Sequence, residues 1–317
     1  MSIRHDIVHT TVYRYNRPVS FGEHRVMFRP RDSHDQRVLA TSLQVSPEAI
    51  VRMVQDPHSN SIAMVQPLHS ATELRIVCAF TIEHAPGLEP VWPLPADAEQ
   101  LPFAYAPDER LDLEHYLRPH HPDPEGRLMD WTRAFLNDPG PTGTRDLLHR
   151  MNAAIGQTLR YLPRDEEGTQ TPTQTLALGS GSCRDFALLM MEAIRRLGVA
   201  ARFVSGYLYD AALDGAGAGA GMQGAGVTHA WLQAYLPGAG WITCDPTNNL
   251  MGGNQLIRVA MVRDPDHASP VSGSWFGAPG AYVGLSATVQ VSRHVPDAAD
   301  VGHNGEHVAV VGGVNGS

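Results

Sequence analysis

The sequence predicts an α+β protein: an N-terminal antiparallel β-sandwich, then a region in which a helix bearing a cysteine packs on an antiparallel sheet. Three observations carry this. Short apolar runs broken by Pro, Asn and Asp fill the first 85 residues. One amphipathic helix begins where a Gly/Ser-rich turn meets Cys183, and strands follow it.

Taken in order, strands are expected over Thr10–Tyr15, His24–Arg29, Val38–Val45, Ile50–Gln55, Ser61–Gln66 and Leu74–Glu83. Pro18, Gly22, Pro47, the turn Asp56–Asn60 and Pro67 separate them. Leu74–Phe80 is the most apolar run, and Cys78 belongs there as a core thiol. Prolines then recur from Ala85 to Pro124, the mark of a linker that wraps rather than packs, with His120 and His121 facing solvent. Helices are expected over Arg127–Leu136, over Thr144–Leu159 with Thr144 as N-cap, and over Arg184–Leu197. In the last of these Phe186, Met190, Ala193 and Leu197 form one stripe, Arg195 and Arg196 sit in the final turn, and Gly198 stops it. Strands follow over Ala201–Tyr209, Val227–Leu236, Trp241–Asp245, Ile257–Val262 and Ala287–His294. The Gly-Ala insertion at 215–221 reads as a mobile loop. The expected division is a β-rich domain at 1–85, a Pro-rich linker at 86–126, a helix-and-strand core at 127–295 and a flexible tail at 296–317.

Composition excludes several functions. Of 317 residues, 24 are basic and 33 acidic, giving a net charge of −9. That balance argues against nucleic acid and against anionic membrane. Every basic residue is arginine, so a Walker phosphate loop, a Schiff-base lysine and a Ser-Lys dyad are absent. The three cysteines, Cys78, Cys183 and Cys244, are widely spaced and odd in number, which suits a reducing compartment. Residues 1–15 lack the apolar run of a signal peptide, no stretch suits a membrane span, and a cytoplasmic location is expected. The histidines show no clustered ligand spacing, so no metal and no cofactor is expected.

The chemistry gathers in the second half. Cys183 lies in Gly-Ser-Gly-Ser-Cys-Arg-Asp at a helix start, where the partial positive charge and free N–H groups favour a thiolate and can cradle an oxyanion. His229 sits on an alternating strand with Trp231, Gln233 and Tyr235 on its face; Trp231, Trp241 and Tyr235 are expected as core or cross-strand partners, and if any of them lines a cleft it is Trp231. The next strand carries Asp245, which can fix the tautomer of a histidine beside it. Strand alternation turns Cys244 to the opposite face, a structural place. Gln174 is the only candidate for a second oxyanion donor, and Arg184 and Asp185 are expected to support the first helical turn.

These motifs resemble the transglutaminase-like superfamily, a papain-type thiol fold. The resemblance rests on Gly-Ser-Cys-Arg-Asp at 181–185, Ala-Arg-Phe-Val-Ser-Gly-Tyr-Leu at 201–208, Thr-His-Ala-Trp at 228–231 and Gly-Trp-Ile-Thr-Cys-Asp-Pro-Thr at 240–247. Residues 1–85 look like the β-rich domain of bacterial members, and Ile257–Asp264 like the closing strand. The resemblance implies a papain-like transglutaminase core with Cys183 as nucleophile, His229 as base and Asp245 as orienter. It implies acyl transfer at a peptide or protein amide, as a cysteine peptidase, an amidase or a transglutaminase. A non-catalytic binding module on the same fold is the alternative. Leu256, where relatives tend to carry histidine, and the Gly-Ala insertion depart from the pattern without touching the three residues.

One requirement can be tested on coordinates. In an antiparallel pair, facing residues have a constant sum of numbers and share a side of the sheet. Asp245 shares the His229 side only if that sum is even, for instance Tyr235 facing Trp241 across Leu236–Gly240. An odd-length loop or a bulge is therefore expected.

Overall fold

The computed structural model describes residues 2–85, 92–164, 166–211, 222–253, 255–294 and 308–309. The chain opens with β1 (Ile3–Phe21), β2 (His24–Val26), β3 (Gln36–Ser46), β4 (Ala49–Gln55), β5 (Ser61–Pro67) and β6 (Ala71–His84). Strand β6 lies between β1 and β3 in one sheet, while β5 lies between β2 and β4 in the other. Alternating residues such as Leu74, Ile76, Cys78, Phe80 and Ile82 point inward to a shared apolar core with Val26, Phe28, Ile62 and Val65. Cys78 is buried, as a core thiol should be.

The proline-rich segment packs, contrary to the sequence reading. It forms β7 (Gln100–Leu101), α1 (Pro107–Asp112) and α2 (Glu114–Leu117), and it buries Trp92, Ala98, Tyr105 and Leu113. Proline restricts the backbone but leaves the aromatic side chains between prolines free to fill a core, which the pattern does not reveal. Its anchor is Glu192. The backbone N–H groups of His120 and His121 donate to that buried carboxylate at 3.1 and 3.0 Å, leaving both histidines half-buried.

Next come α3 (Arg127–Arg133), β8 (Thr142–Gly143), α4 (Thr144–Thr158), β9 (Arg160–Tyr161), α5 (Pro172–Leu178), β10 (Ser180–Gly181) and α6 (Cys183–Arg196). Gly143, not Thr144, is the N-cap of α4, and the Thr144 hydroxyl donates instead to Ala98 O at 2.7 Å. Helix α6 is buried on every side, a face wider than its apolar stripe, because α3, α4 and α5 cover what the sheet does not. The buried Arg195 guanidinium meets Glu192 and the carbonyls of Tyr116, Ala201 and Arg263. It thus staples helix, sheet and proline-rich segment together.

The core sheet contains β11 (Ala201–Leu208), β12 (His229–Leu236), β13 (Gly240–Asp245), β14 (Leu250–Met251) and β15 (Leu256–Val262), ordered β14-β13-β12-β11-β15. Phe203, Ala230, Leu232, Ala234, Leu236 and Cys244 share the apolar cluster of α6. At the sheet edge, β15 faces the N-terminal sandwich. Gln36 exchanges two hydrogen bonds with the Arg258 backbone at 2.9 and 3.0 Å, and Asn60 does the same with Met261. Two side-chain amides thereby satisfy an edge that would otherwise be open.

The chain then returns to its beginning through β16 (Val271–Ser272), β17 (Trp275–Phe276) and β18 (Tyr282–Arg293). Strand β18 pairs with β1 from His5↔Arg293 to Tyr15↔Tyr282. The strand expected inside the 127–295 core therefore belongs to the N-terminal sheet, because an alternating strand does not name its neighbour. The Gly-Ala insertion and the tail lie outside the described residues, apart from β19 (Val308–Ala309), which pairs in parallel with Thr41 and Ser42.

Candidate active site

Cys183 begins α6, so its N–H and that of Arg184 have no carbonyl four residues earlier in the helix. Asp185 completes this helix start. Its buried carboxylate accepts from Ser182 N at 2.8 Å, Gln170 N at 2.7 Å and Arg164 Nη1 at 2.9 Å. It supports the first turn, as expected, and fixes the segment before α5 as well.

The register requirement is met. Strands β12 and β13 pair with Tyr235 facing Trp241 and Leu232 facing Cys244, an even sum throughout. Leu236 and Gly240 also pair, so the loop is three residues, odd as expected but shorter than the five residues 236–240. Gly238 and Gly240 take φ of 74° and 72°, conformations that suit glycine. Consequently Asp245 Oδ2 lies 2.8 Å from His229 Nε2, with both side chains fully buried. Cys244 points the other way, into the α6 core.

The Asp-Pro-Thr-Asn turn saturates the carboxylate. Asp245 Oδ1 accepts from Thr247 N at 3.0 Å, and Oδ2 accepts from Asn248 Nδ2 at 2.9 Å. Helix α4 holds the turn from behind: Asn152 donates to Asn249 Oδ1 and Leu250 O, and a Cβ on Gly156 would meet Pro246 O at 2.8 Å. Burial opposes charge on both partners. For His229 the Asp245 charge and hydrogen bond, joined by the Cys183 side chain, outweigh it and raise the imidazole to about 10. For Asp245 the imidazolium and the Asn248 and Thr247 donors likewise prevail and hold the carboxyl below its usual range.

With Nε2 committed to Asp245, the other ring nitrogen is buried without a hydrogen bond in the resting chain. Trp231 does not line a cleft. It is fully buried and stacks on the imidazole with centroids 5.9 Å apart. Gly206 makes room for it, since a Cβ there would meet Ile257 O at 2.0 Å and the Trp231 ring at 2.8 Å. Gln174 is committed to the N-terminal capping of α5, where its Oε1 accepts from Thr171 N at 2.9 Å. Leu256 packs in the apolar cluster around Trp231, where a histidine would need a polar partner.

Tyr161 is the residue that the sequence reading missed. Strand β9 pairs in parallel with β10, setting Tyr161 opposite Gly181, two residues before the nucleophile candidate. Burial first, then the Cys183 and Asp245 charges, push the Tyr161 phenol up to about 12. A two-residue parallel bridge leaves no periodicity to read.

Residues 5–83 match the model of the bacterial transglutaminase-like N-terminal region, and residues 134–246 that of the transglutaminase-like superfamily. An uncharacterized protein of Mycobacterium leprae is 26% identical over 295 residues, covering 90% of this chain and 98% of its own. One of Mycobacterium bovis is 26% identical over 283 residues, covering 85% and 87%. The fold is shared with the crystal structure of a candidate cysteine protease of Cytophaga hutchinsonii, at 18% identity, TM-score 0.68, and coverage of 94% and 92%. With the two matched regions spanning more than half of its length and the same fold running through nearly all of it, the chain belongs to the transglutaminase-like superfamily.

Proposed function

We propose that the protein transfers acyl groups from peptide or protein amides through a covalent thioester, with Cys183 as nucleophile, His229 as base and Asp245 as orienter. The observation that carries the reading is the buried 2.8 Å His229–Asp245 contact, which leaves the second ring nitrogen uncommitted beside a thiol at a helix start. In resting enzymes such thiol–imidazole contacts are often long and tighten with substrate.

The steps follow from the geometry. His229, kept basic by Asp245, holds the thiol proton at Nδ1, and the Cys183 thiolate attacks the amide carbon. The oxyanion receives hydrogen bonds from the Cys183 N–H and the Tyr161 hydroxyl. The imidazolium, stabilised by Asp245, then protonates the leaving amine, and the acyl-enzyme passes to water or to a second amine. Hydrolysis is the favoured outcome, as a cysteine peptidase or amidase. The reading extends to a reducing, cytoplasmic location, which three free thiols support.

Screening amide and peptide libraries with wild type beside Cys183→Ala tests it, with mass spectrometry for an acyl adduct and added amines to separate hydrolysis from transamidation. Cys183→Ala is expected to abolish turnover while the fold survives, since the lost volume is small. Turnover within tenfold of wild type would sink the nucleophile assignment. Failure of Cys183 to react with iodoacetamide near pH 6 would favour a binding module instead.

A further inference from the structure

The segment Met222–Gly226 lies across His229. A Cβ placed on Gly224, whose φ is +87°, would stand 2.5 Å from His229 Nδ1 and 3.3 Å from Cε1. Only a bare glycine backbone can rest this close to the ring. Cys183 is 7% exposed, His229 1% and Asp245 0%, so the proposed reacting atoms are shut in.

Three tethers hold the segment. Met222 N donates to Asp210 Oδ2 at 2.6 Å, and Val289 N in β18 donates to Gly226 O at 3.0 Å. The central tether is Asn248. Its side-chain oxygen accepts from Gln223 N at 3.0 Å, and its nitrogen donates to Gln223 O at 3.1 Å and to Asp245 Oδ2 at 2.9 Å. The same NH2 group thus faces a backbone carbonyl and the carboxylate that orients His229. The two Gln223 bonds go to its backbone, so the identity of the Gln223 side chain is irrelevant to them.

We propose that Asn248 is a positioning residue that latches the 222–226 segment over His229, and that an acyl substrate reaches the thiol paired with that ring only after the Asn248–Gln223 bonds open. Access and base alignment are coupled, because the amide released from the loop is the one bonded to Asp245. The proposal rests on the acyl-transfer reading for its substrate. The latch itself is measured without turnover, so the two can fail separately.

The test is alkylation of Cys183 in the full chain by a maleimide carrying a polyethylene glycol chain, read by mass spectrometry, beside hydrogen exchange at the Gln223 amide. Cys78 and Cys244, both buried and free, report global unfolding in the same molecule. Losing two hydrogen bonds of about 1 kcal/mol each should make Asn248→Ala open, and so label at Cys183, about ten- to thirtyfold faster. Cys78 and Cys244 should stay unlabelled. Gln223 exchange should accelerate alongside, and Asn248→Asp should not restore protection, because a carboxylate oxygen would replace the NH2 group that faces the Gln223 carbonyl and the Asp245 carboxylate. Gln223→Ala should label like wild type. If Asn248→Ala unfolds, labelling Cys244 as fast as Cys183, Gly224→Ala is read instead. It lifts the loop off the imidazole without touching Asn248, and should also speed Cys183 labelling at least tenfold. Unchanged labelling in the folded variant, or Gln223 exchange indifferent to Asn248, overturns the latch.

Discussion

The imidazole of His229 is held on three sides: Asp245 at Nε2, the Trp231 ring stacked alongside, and the Gly224 backbone over Nδ1. What it lacks in the resting chain is a partner at Nδ1, the position from which a proton can be taken. Tyr161, opposite Gly181 in the strand pair, stays protonated and can only donate to a developing negative charge. Tyr161→Phe should therefore lower kcat about tenfold to a hundredfold while leaving iodoacetamide alkylation of Cys183 unchanged, since alkylation builds no oxyanion. A parallel fall in both rates would assign the hydroxyl to the thiol itself. Cys244→Ser should spare activity but lower Tm, because it puts a hydroxyl into the apolar core of α6.

Among elements, the β12–β13 hairpin shows what the sequence could and could not reveal. Cys183, His229 and Asp245 stood out from motif and alternation, and parity alone required the even register that is found. Two features were illegible for a physical reason. Tyr161 reaches the site on a strand too short to have a period, and the Gly206 slot that seats the Trp231 ring, a residue legible as a core aromatic, is set by a close approach of β15 that no pattern shows. That slot is unforgiving. Gly206→Ala would press a methyl against Ile257 O, prying β15 from β11, and should cost about 3 kcal/mol or more in urea melts. A variant as stable as wild type would mean that the strands part without penalty. The α6 stripe was legible too, but the burial of its polar face was not, since Arg195 and Glu192 are satisfied by backbone of distant segments.

Across the molecule, the sandwich and the core share an interface and not merely a linker. Tyr207 and Ile257 lie in the apolar cluster of the sandwich, and the Tyr207 hydroxyl meets His9 Nδ1 at 2.9 Å. The Thr11 hydroxyl takes the other His9 nitrogen at 3.2 Å, an arrangement that suits a neutral ring. Burial lowers His9 from 6.5 to about 4. Between those values the unfolded chain binds a proton that the folded chain refuses, so stability is complete above about pH 6.5 and drains as pH falls toward 4. The loss should approach roughly 3 kcal/mol. Urea melts at about pH 7.5 and about pH 4.5 should show it, and His9→Gln should flatten that dependence; an equal slope in the variant would place the titration elsewhere.

The pairing of β18 with β1 sets the order in which this molecule can be made. Synthesis delivers the first six strands early, yet one side of β1 from His5 to Tyr15 has no neighbour until the entire thiol-bearing region has left the ribosome. A nascent chain stalled before Tyr282 would offer that flank to any extended peptide nearby. Chaperone demand should therefore peak late in translation. Chains stalled just short of Tyr282 should aggregate more readily than chains released after Arg293.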